Sequence, residues 1–100
     1  MFFFKKNYES ININELPKIE RSQLIDVRTK IEYQQGSIKT ARNIEMNELL
    51  NNPEKFLTKE KPYYLFCATG ARSANVCSIL CKQGYEVVNL KGGIMSYNKH

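Results

Sequence analysis

One five-residue segment constrains the fold of this chain more than any other feature. Tyr63-Tyr64-Leu65-Phe66-Cys67 is apolar at every position, and a loop containing Gly70 follows it. A strand with one face in water alternates apolar and polar residues, whereas a strand that is buried on both faces is apolar throughout. The segment is therefore predicted to be a central strand of a parallel sheet.

The rest of the chain alternates between predicted strands and helices. Asn14 is predicted to cap a first helix that Pro17 keeps short. Thr29 is predicted to cap a second helix, with Glu32 at its third position and Gly36 at its end. Further strands are predicted at residues 10–13, 23–27, 41–44 and 85–90, and helices at 15–19, 30–35, 47–50, 53–57, 73–83 and 94–97. This alternation indicates an α/β fold with a parallel sheet, and 100 residues are expected to form one domain, residues 1–100.

The charge pattern does not favour nucleic acid as a partner. Fifteen Lys and Arg residues against ten Asp and Glu residues give a net charge of +5. These cations are spread along the chain, and only Lys5-Lys6 and Lys59-Glu60-Lys61 are locally dense. A generally positive surface attracts small anions, so we expect a small anionic ligand and no nucleic acid.

The N-terminus and the cysteines indicate a cytoplasmic protein that does not contact the membrane. Met1-Phe2-Phe3-Phe4 is apolar, but Lys5-Lys6 ends this run, whereas a secretory signal has its charges before about 7–15 apolar residues. No apolar run approaches the ~20 residues of a membrane span. Three cysteines without a secretory signal also argue against a disulfide framework.

The loop after the central strand combines a thiol with several groups that favour anions. It reads Cys67-Ala68-Thr69-Gly70-Ala71-Arg72-Ser73 and connects a strand end to a helix N-terminus, the edge of a parallel sheet where ligands bind. Free backbone N–H groups and the helix dipole are expected to form an anion-binding cradle there, with Gly70 allowing the turn. The thiolate of Cys67 is favoured in such a place, and Arg72 adds a permanent positive charge. From this loop alone, a buried structural Cys67 beside a surface Arg72 remains the alternative.

Two longer stretches of the chain resemble the signatures of the rhodanese family. The resemblance covers roughly residues 10–97, and its motifs follow one another in the family's order. The first stretch contains Leu24-Ile25-Asp26-Val27-Arg28, Glu32-Tyr33, Gly36-Ser37-Ile38 and Ala41-Arg42-Asn43-Ile44, and the second contains Tyr64-Leu65-Phe66-Cys67, Arg72-Ser73, Gly84-Tyr85, Val88-Asn89-Leu90 and Gly92-Gly93-Ile94. The family often has His, Gly and Trp where this chain has Ser37, Thr40 and Tyr97.

The resemblance implies a sulfurtransferase with a five-stranded parallel sheet flanked by helices on both faces. It implies that Cys67 takes a sulfane sulfur from an anionic donor such as thiosulfate and carries it as a persulfide to cyanide, a thiol or a partner protein. It also implies that the N–H groups of Ala68, Thr69, Gly70, Ala71, Arg72 and Ser73 cradle that sulfur, that Arg72 helps to bind the donor, and that no metal or organic cofactor takes part. A binding or sensing module without enzymatic activity is the alternative.

Loop length argues against a phosphatase of the same fold. Four residues lie between Cys67 and Arg72, and the related phosphatases have one more. A tighter ring of donors suits a single sulfur atom better than a tetrahedral anion.

Several other residues are candidates for a role outside the loop. Cys77 and Cys81 are predicted to lie with Ala74 and Leu80 on the buried stripe of the helix. A resolving thiol is an alternative for either cysteine, and a metal site is disfavoured because His100 is terminal and no fourth ligand is evident.

Three further positions are predicted to be structural or close to the site. Asp26 is predicted to satisfy loop N–H groups or an arginine. Arg28 either lines the mouth of the site or forms a surface pair. The tyrosines at 63, 64 and 85 are predicted to be core or strand-face residues.

Overall fold

The predicted α/β architecture is confirmed by a computed structural model that describes residues 8–98. Met1-Phe2-Phe3-Phe4, Lys5-Lys6 and His100, which the sequence singled out, lie outside the described residues. The strands are β1 (Glu9–Asn12), β2 (Leu24–Asp26), β3 (Arg42–Asn43), β4 (Tyr63–Phe66) and β5 (Val87–Lys91). They form one sheet in the order β1-β5-β4-β2-β3, and every pairing is parallel.

The apolar segment predicted to be a central strand is β4, in the middle of the sheet. Leu65 of β4 is in register with Ile25 of β2 on one side and with Asn89 of β5 on the other. Successive side chains of a strand point to opposite faces, so Tyr63 and Leu65 join one hydrophobic core and Phe66 joins the other. Burial on both faces explains why this segment has no polar position.

Helices cover both faces of the sheet, as predicted, but the kind of helix differs between the two faces. The α-helices are α1 (Lys30–Gln34), α2 (Met46–Asn51), α3 (Pro53–Phe56) and α4 (Ala71–Lys82). Short 3₁₀ helices occupy Ile13–Glu15, Arg21–Gln23 and Ile94–Ser96. The first hydrophobic core contains buried residues of α2 and α4. The second contains Ile13 of the first 3₁₀ helix, and Ile94 and Tyr97 pack against it.

The start of α1 confirms the predicted capping box. The hydroxyl of Thr29 accepts the backbone N–H of Glu32, and the carboxylate of Glu32 accepts the backbone N–H of Thr29 at 2.9 Å. These two bonds satisfy donors that a helix leaves free at its N-terminus. The helix ends near Gly36, as expected, and that residue has a φ of 140°.

The predicted helix at residues 15–19 is wrong, and so is the role of Asn14 as its cap. The chain forms one 3₁₀ turn, Ile13–Glu15, whose N-cap is Asn12. The side chain of Asn14 instead donates to the carbonyl of Ser96 at 2.9 Å and accepts the N–H of Asn98 at 2.7 Å. Because Asn14 is used to join the two ends of the fold, and Pro17 cannot continue a helix, the turn stays short.

Helix α4 begins two residues before its predicted start, so Arg72 lies in its first turn. Gly70 is the N-cap, with a φ of 103° that allows the chain to turn sharply out of β4. The predicted buried stripe is confirmed for Cys77 and Leu80, whereas Ala74 and Cys81 are only half-buried. Val76 is buried in addition, because it faces the sheet together with Cys77.

None of the helices between residues 8 and 98 combines the length and the apolar character that crossing a membrane requires.

Candidate functional site

The sulfur of Cys67 lies at the carboxyl end of β4 and receives several hydrogen bonds. The backbone N–H groups of Gly70 and Ser73 point at it from 3.2 Å and 3.4 Å, and the hydroxyl of Ser73 lies 3.5 Å away. Cys67 as a whole is only 1% exposed. Two backbone N–H groups and one hydroxyl of the loop therefore converge on the sulfur of Cys67.

These donors change the acidity of the Cys67 thiol. Burial on its own raises the pKa, because it disfavours the charged thiolate. The hydroxyl and N–H of Ser73 and the N–H groups of Gly70 and Thr69 act in the opposite direction and prevail, so the pKa lies below its ordinary value. The loop thus favours the thiolate, the nucleophilic form of cysteine, more than an ordinary environment does.

The other loop residues predicted for the site take different positions. Ala68 is half-buried, and its carbonyl accepts the N–H of Met95 at 3.0 Å. Ala71 is exposed as the first residue of α4. The binding roles of all six loop residues from Ala68 to Ser73 stay predictions.

The turn that follows β5 contacts the backbone of the Cys67 loop and holds it in place. The N–H of Ile94 donates to the carbonyl of Cys67 at 2.9 Å. Gly93 has a φ of 64°, and a Cβ at this position would lie 2.6 Å from the Cys67 carbonyl oxygen and would also overlap the carbonyl of Ala68. Only a glycine permits this close approach, which accounts physically for the Gly92-Gly93-Ile94 motif of the second stretch.

Asn89 is a buried residue of the site that the sequence analysis assigned no role. Its Oδ1 lies 2.6 Å from the Ser73 hydroxyl, and its Nδ2 donates to the carbonyl of Gly70 at 3.4 Å. Asn89 therefore holds both the Ser73 hydroxyl and the turn at Gly70 in place beside the sulfur. The signal for it was a polar residue between the apolar residues Val88 and Leu90 of the predicted strand.

Arg72 forms an ion pair with Glu32 that the sequence analysis did not predict. Its Nη1 and Nη2 lie 2.9 Å from Oε1 and Oε2 of Glu32, a bidentate contact between α4 and α1. This pair holds the pKa of Glu32 at about 2, with Arg72 the largest cause and the Thr29 N–H the next. It also raises the pKa of Arg72. Glu32 thus has a second role beside its capping bond.

Asp26 is structural, as predicted, and Arg28 is its partner. The carboxylate accepts the backbone N–H of Arg28 at 3.0 Å and its guanidinium at 2.8 Å, and the Ser37 hydroxyl at 2.7 Å. Asp26 is fully buried and Arg28 is 7% exposed. The pair is therefore buried, so the surface pair considered for Arg28 is not found.

The two remaining cysteines lie along α4 as free thiols. Burial raises the pKa of Cys77 to about 12, with the neighbouring Cys81 and Cys67 as smaller causes. Cys81 donates from its sulfur to the carbonyl of Ser78 at 3.2 Å. Within residues 8–98, no group of three or more His, Cys, Asp or Glu side chains is arranged to hold a metal ion.

The tyrosines agree with their predicted positions, since 63 and 85 are buried and 64 packs against the second core.

A separate cavity of about 650 Å³ lies at the β3 edge of the sheet. Residues of α1, β3 and α2 line it, among them Tyr33, Arg42 and Glu48, and no residue of the loop 67–73 does. The cavity is thus distinct from the surroundings of Cys67.

Comparisons with known proteins agree with this geometry. The rhodanese-like domain family matches residues 10–100. A sulfurtransferase of Allochromatium vinosum is 37% identical over 78 residues, which are 77% of this chain and 72% of that protein. The thiosulfate sulfurtransferase GlpE of Coxiella burnetii is 34% identical over 87 residues, which are 86% of this chain and 80% of GlpE.

A solved structure has the same fold over nearly its whole length. The crystal structure of a rhodanese-like domain protein from Staphylococcus aureus superimposes with a TM-score of 0.80 at 34% identity, and covers 92% of this chain and 93% of that one. The family match spans the site as well as the sheet. The chain therefore belongs to the rhodanese-like domain family, and its relatives place it among the sulfurtransferases of that family.

Proposed function

We propose that this protein moves a sulfane sulfur from an anionic donor, thiosulfate or a similar compound, to a thiophilic acceptor through a persulfide on Cys67. The observation that carries this proposal is the set of donors around the Cys67 sulfur, two N–H groups and one hydroxyl within 3.5 Å. They lower the pKa of the thiol and so favour the thiolate that the first step needs.

The proposed reaction consists of two displacements at sulfur. The Cys67 thiolate attacks the outer sulfur of thiosulfate, a sulfur–sulfur bond to Cys67 forms, and sulfite leaves with the electron pair of the broken bond. Cyanide or a thiolate then attacks the outer sulfur of the persulfide, and the Cys67 thiolate leaves and is regenerated. No net redox change of the protein occurs, and the order of steps gives ping-pong kinetics.

The loop residues have two proposed roles in these steps. The N–H groups from Ala68 to Ser73 stabilise the negative charge on the sulfur, which is present before and after each displacement. The guanidinium of Arg72, in the first turn of α4, binds the anionic part of the donor. The acceptor is a small thiol, cyanide or a protein thiol, and the free cysteines favour a cytoplasmic site of action.

Intact mass measurement after incubation of the reduced protein with thiosulfate tests this proposal. We expect the protein to gain one sulfur atom and to lose it on addition of cyanide. Cys67→Ser should gain none. Cys81→Ser, which removes a half-buried thiol elsewhere on α4, is the matched control and should behave as the wild type.

Two results would contradict the proposal. A sulfur gained by Cys67→Ser would place the persulfide on another thiol. No gain with thiosulfate, mercaptopyruvate or a persulfide donor would leave a binding or sensing module as the better account.

A further inference from the structure

The guanidinium of Arg72 is already occupied in this structure. Both of its terminal nitrogens contact Glu32, each at 2.9 Å. Such a bidentate contact uses the same fork of donors that an arginine offers to an oxyanion. A donor that binds Arg72 must therefore replace Glu32 or share the guanidinium with it.

Glu32 is held in place independently of Arg72. Its Oε1 also accepts the backbone N–H of Thr29 at 2.9 Å and lies 3.2 Å from the Thr29 hydroxyl. The carboxylate is thus tied to the start of α1, and with a pKa of about 2 it is ionised at neutral pH. The negative charge stays close to the site whether or not Arg72 contacts it.

The pair is also able to exchange partners. The side chains of Arg72 and Glu32 are 36% and 32% exposed, so water can solvate each of them while the contact opens. This distinguishes the pair from Asp26 and Arg28, whose side chains are 0% and 8% exposed. Exposed ion pairs open at little cost, whereas buried ones do not.

We propose that Glu32 is a specificity-determining residue that competes with anionic donors for Arg72 and so weakens their binding relative to neutral reagents. The proposal rests on the proposed function, because it names the residue that sets how strongly that site selects by charge. Glu32 cancels much of the positive charge that Arg72 contributes beside Cys67. A dianion loses most from this arrangement, and an uncharged molecule loses nothing.

Glu32→Gln removes the negative charge and keeps the capping hydrogen bond, because glutamine at this position of a capping box can still accept the Thr29 N–H. Glu45→Gln is the matched control, since the Glu45 carboxylate also binds a backbone N–H of α1, that of Lys30, at 2.7 Å. Arg72→Gln and the double variant Glu32→Gln/Arg72→Gln complete a double-mutant cycle. The cycle shows whether Glu32 acts through Arg72.

The rate constants for alkylation of Cys67 by iodoacetate and by iodoacetamide provide the measurement. The two reagents have the same leaving group and similar size, and only the first is an anion. Both react with the same thiolate, so their ratio does not change if the pKa of Cys67 shifts. Peptide mapping assigns the reaction to Cys67, and no sulfur transfer is needed.

We expect Glu32→Gln to raise the ratio of the iodoacetate to the iodoacetamide rate constant about three- to tenfold at low salt, and less at high salt. The ratio should be unchanged in Glu45→Gln. In the Arg72→Gln background, Glu32→Gln should raise the ratio by a smaller factor, because only the direct repulsion between the Glu32 carboxylate and the reagent is removed there. In steady-state assays, Glu32→Gln should lower the KM for thiosulfate and leave kcat nearly unchanged.

Three results would overturn the proposal. The first is an unchanged ratio in Glu32→Gln. The second is an equal rise in the Arg72→Gln background, which would mean that Glu32 does not act through Arg72. The third is a Cys67 that reacts with neither reagent in the native protein. A raised ratio without persulfide formation would instead support the role of Glu32 and contradict the proposed function, so the two failures are distinguishable.

Discussion

Ser73 approaches the sulfur of Cys67 with two groups, its backbone N–H, which donates at 3.4 Å, and its hydroxyl, whose oxygen lies 3.5 Å from the sulfur. Among residues 8–98, no other residue approaches this sulfur with both a main-chain and a side-chain donor. Oδ1 of Asn89 on β5 accepts from the same hydroxyl at 2.6 Å, so it fixes the position of the hydroxyl and shares its single proton with the sulfur. Since hydrogen bonds to the charged form of a group favour that form, Ser73 is a main source of the acidity of the thiol.

Ser73→Ala is expected to raise the pKa of Cys67, because it removes the hydroxyl and leaves the burial that opposes ionisation. The fraction of thiolate at neutral pH falls, and the pH profile of iodoacetamide alkylation moves to higher pH. Ser78→Ala, on the same helix and without a contact to the sulfur, should leave the profile unchanged. A Ser73→Ala profile that coincides with the wild type would show that the backbone N–H groups alone set the acidity.

Gly93→Ala is expected to destabilise the protein and slow persulfide formation together. A side chain there meets the carbonyls of Cys67 and Ala68, and the backbone, with φ 64° and ψ −171°, lies in a region that only glycine populates readily. Such a conformation alone costs about 1–3 kcal/mol, and the overlap adds to it.

Urea unfolding and the rate of sulfur gain on Cys67 measure the two effects of Gly93→Ala. Gly36→Ala is the matched control, because Gly36 also has a positive φ, of 140°, but a Cβ there meets no atom within 4 Å. An equal loss of stability in both variants would mean that the close approach to the loop is unimportant.

Features that depend on a local sequence pattern could be predicted from the sequence. The apolar run of β4 predicted a central strand, and the Thr29 capping box predicted α1. Cys67 and the loop after it could be found because a strand end, a glycine and a helix start are adjacent in the chain. Glycine at 70 was predicted to allow the turn, and it is the N-cap of α4.

Features that depend on contacts between distant residues could not be predicted in this way. Arg72 and Glu32 are 40 positions apart, and Ser73 and Asn89 are 16 apart. Asn14 was assigned to a local helix because its bonds to the C-terminal segment, 82 and 84 positions away, have no local signature. Such pairs follow from the order of the strands, which local periodicity does not determine.

Asp26→Ala is expected to lower the free energy of unfolding by about 3–5 kcal/mol, because it leaves Arg28 charged and buried without its partner. It also removes the acceptor of the Ser37 hydroxyl. Lys61→Met is the control, since Lys61 forms a more exposed pair with Glu20 at 3.5 Å. That change should cost less than about 1 kcal/mol. Urea unfolding at pH 7 gives both values, and similar losses in the two variants would argue against a structural role for the buried pair.

The raised pKa of Cys77 leads to a prediction of how the free energy of unfolding changes in alkaline solution. Its pKa is raised from 9.0 to about 12, and burial is the main cause. Between these two values the unfolded chain releases the Cys77 proton and the native protein keeps it. Stability falls with pH wherever the native state binds more protons than the unfolded state, so this thiol stabilises the fold fully below pH 9 and loses that contribution as the pH rises towards 12.

Cys77→Ala is therefore expected to reduce the loss of stability between pH 8 and pH 10.5, whatever it does to the stability at pH 7. Val76→Ala is the matched control: Val76 is equally buried on α4 and carries no proton, so its removal should lower stability by a similar amount at every pH. Urea unfolding across this pH range gives the free energy of unfolding as a function of pH, and the slope of that function is compared between each variant and the wild type. If Cys77→Ala and Val76→Ala show the same slope as the wild type, the Cys77 thiol ionises as readily in the native protein as in the unfolded chain, and burial does not protect it.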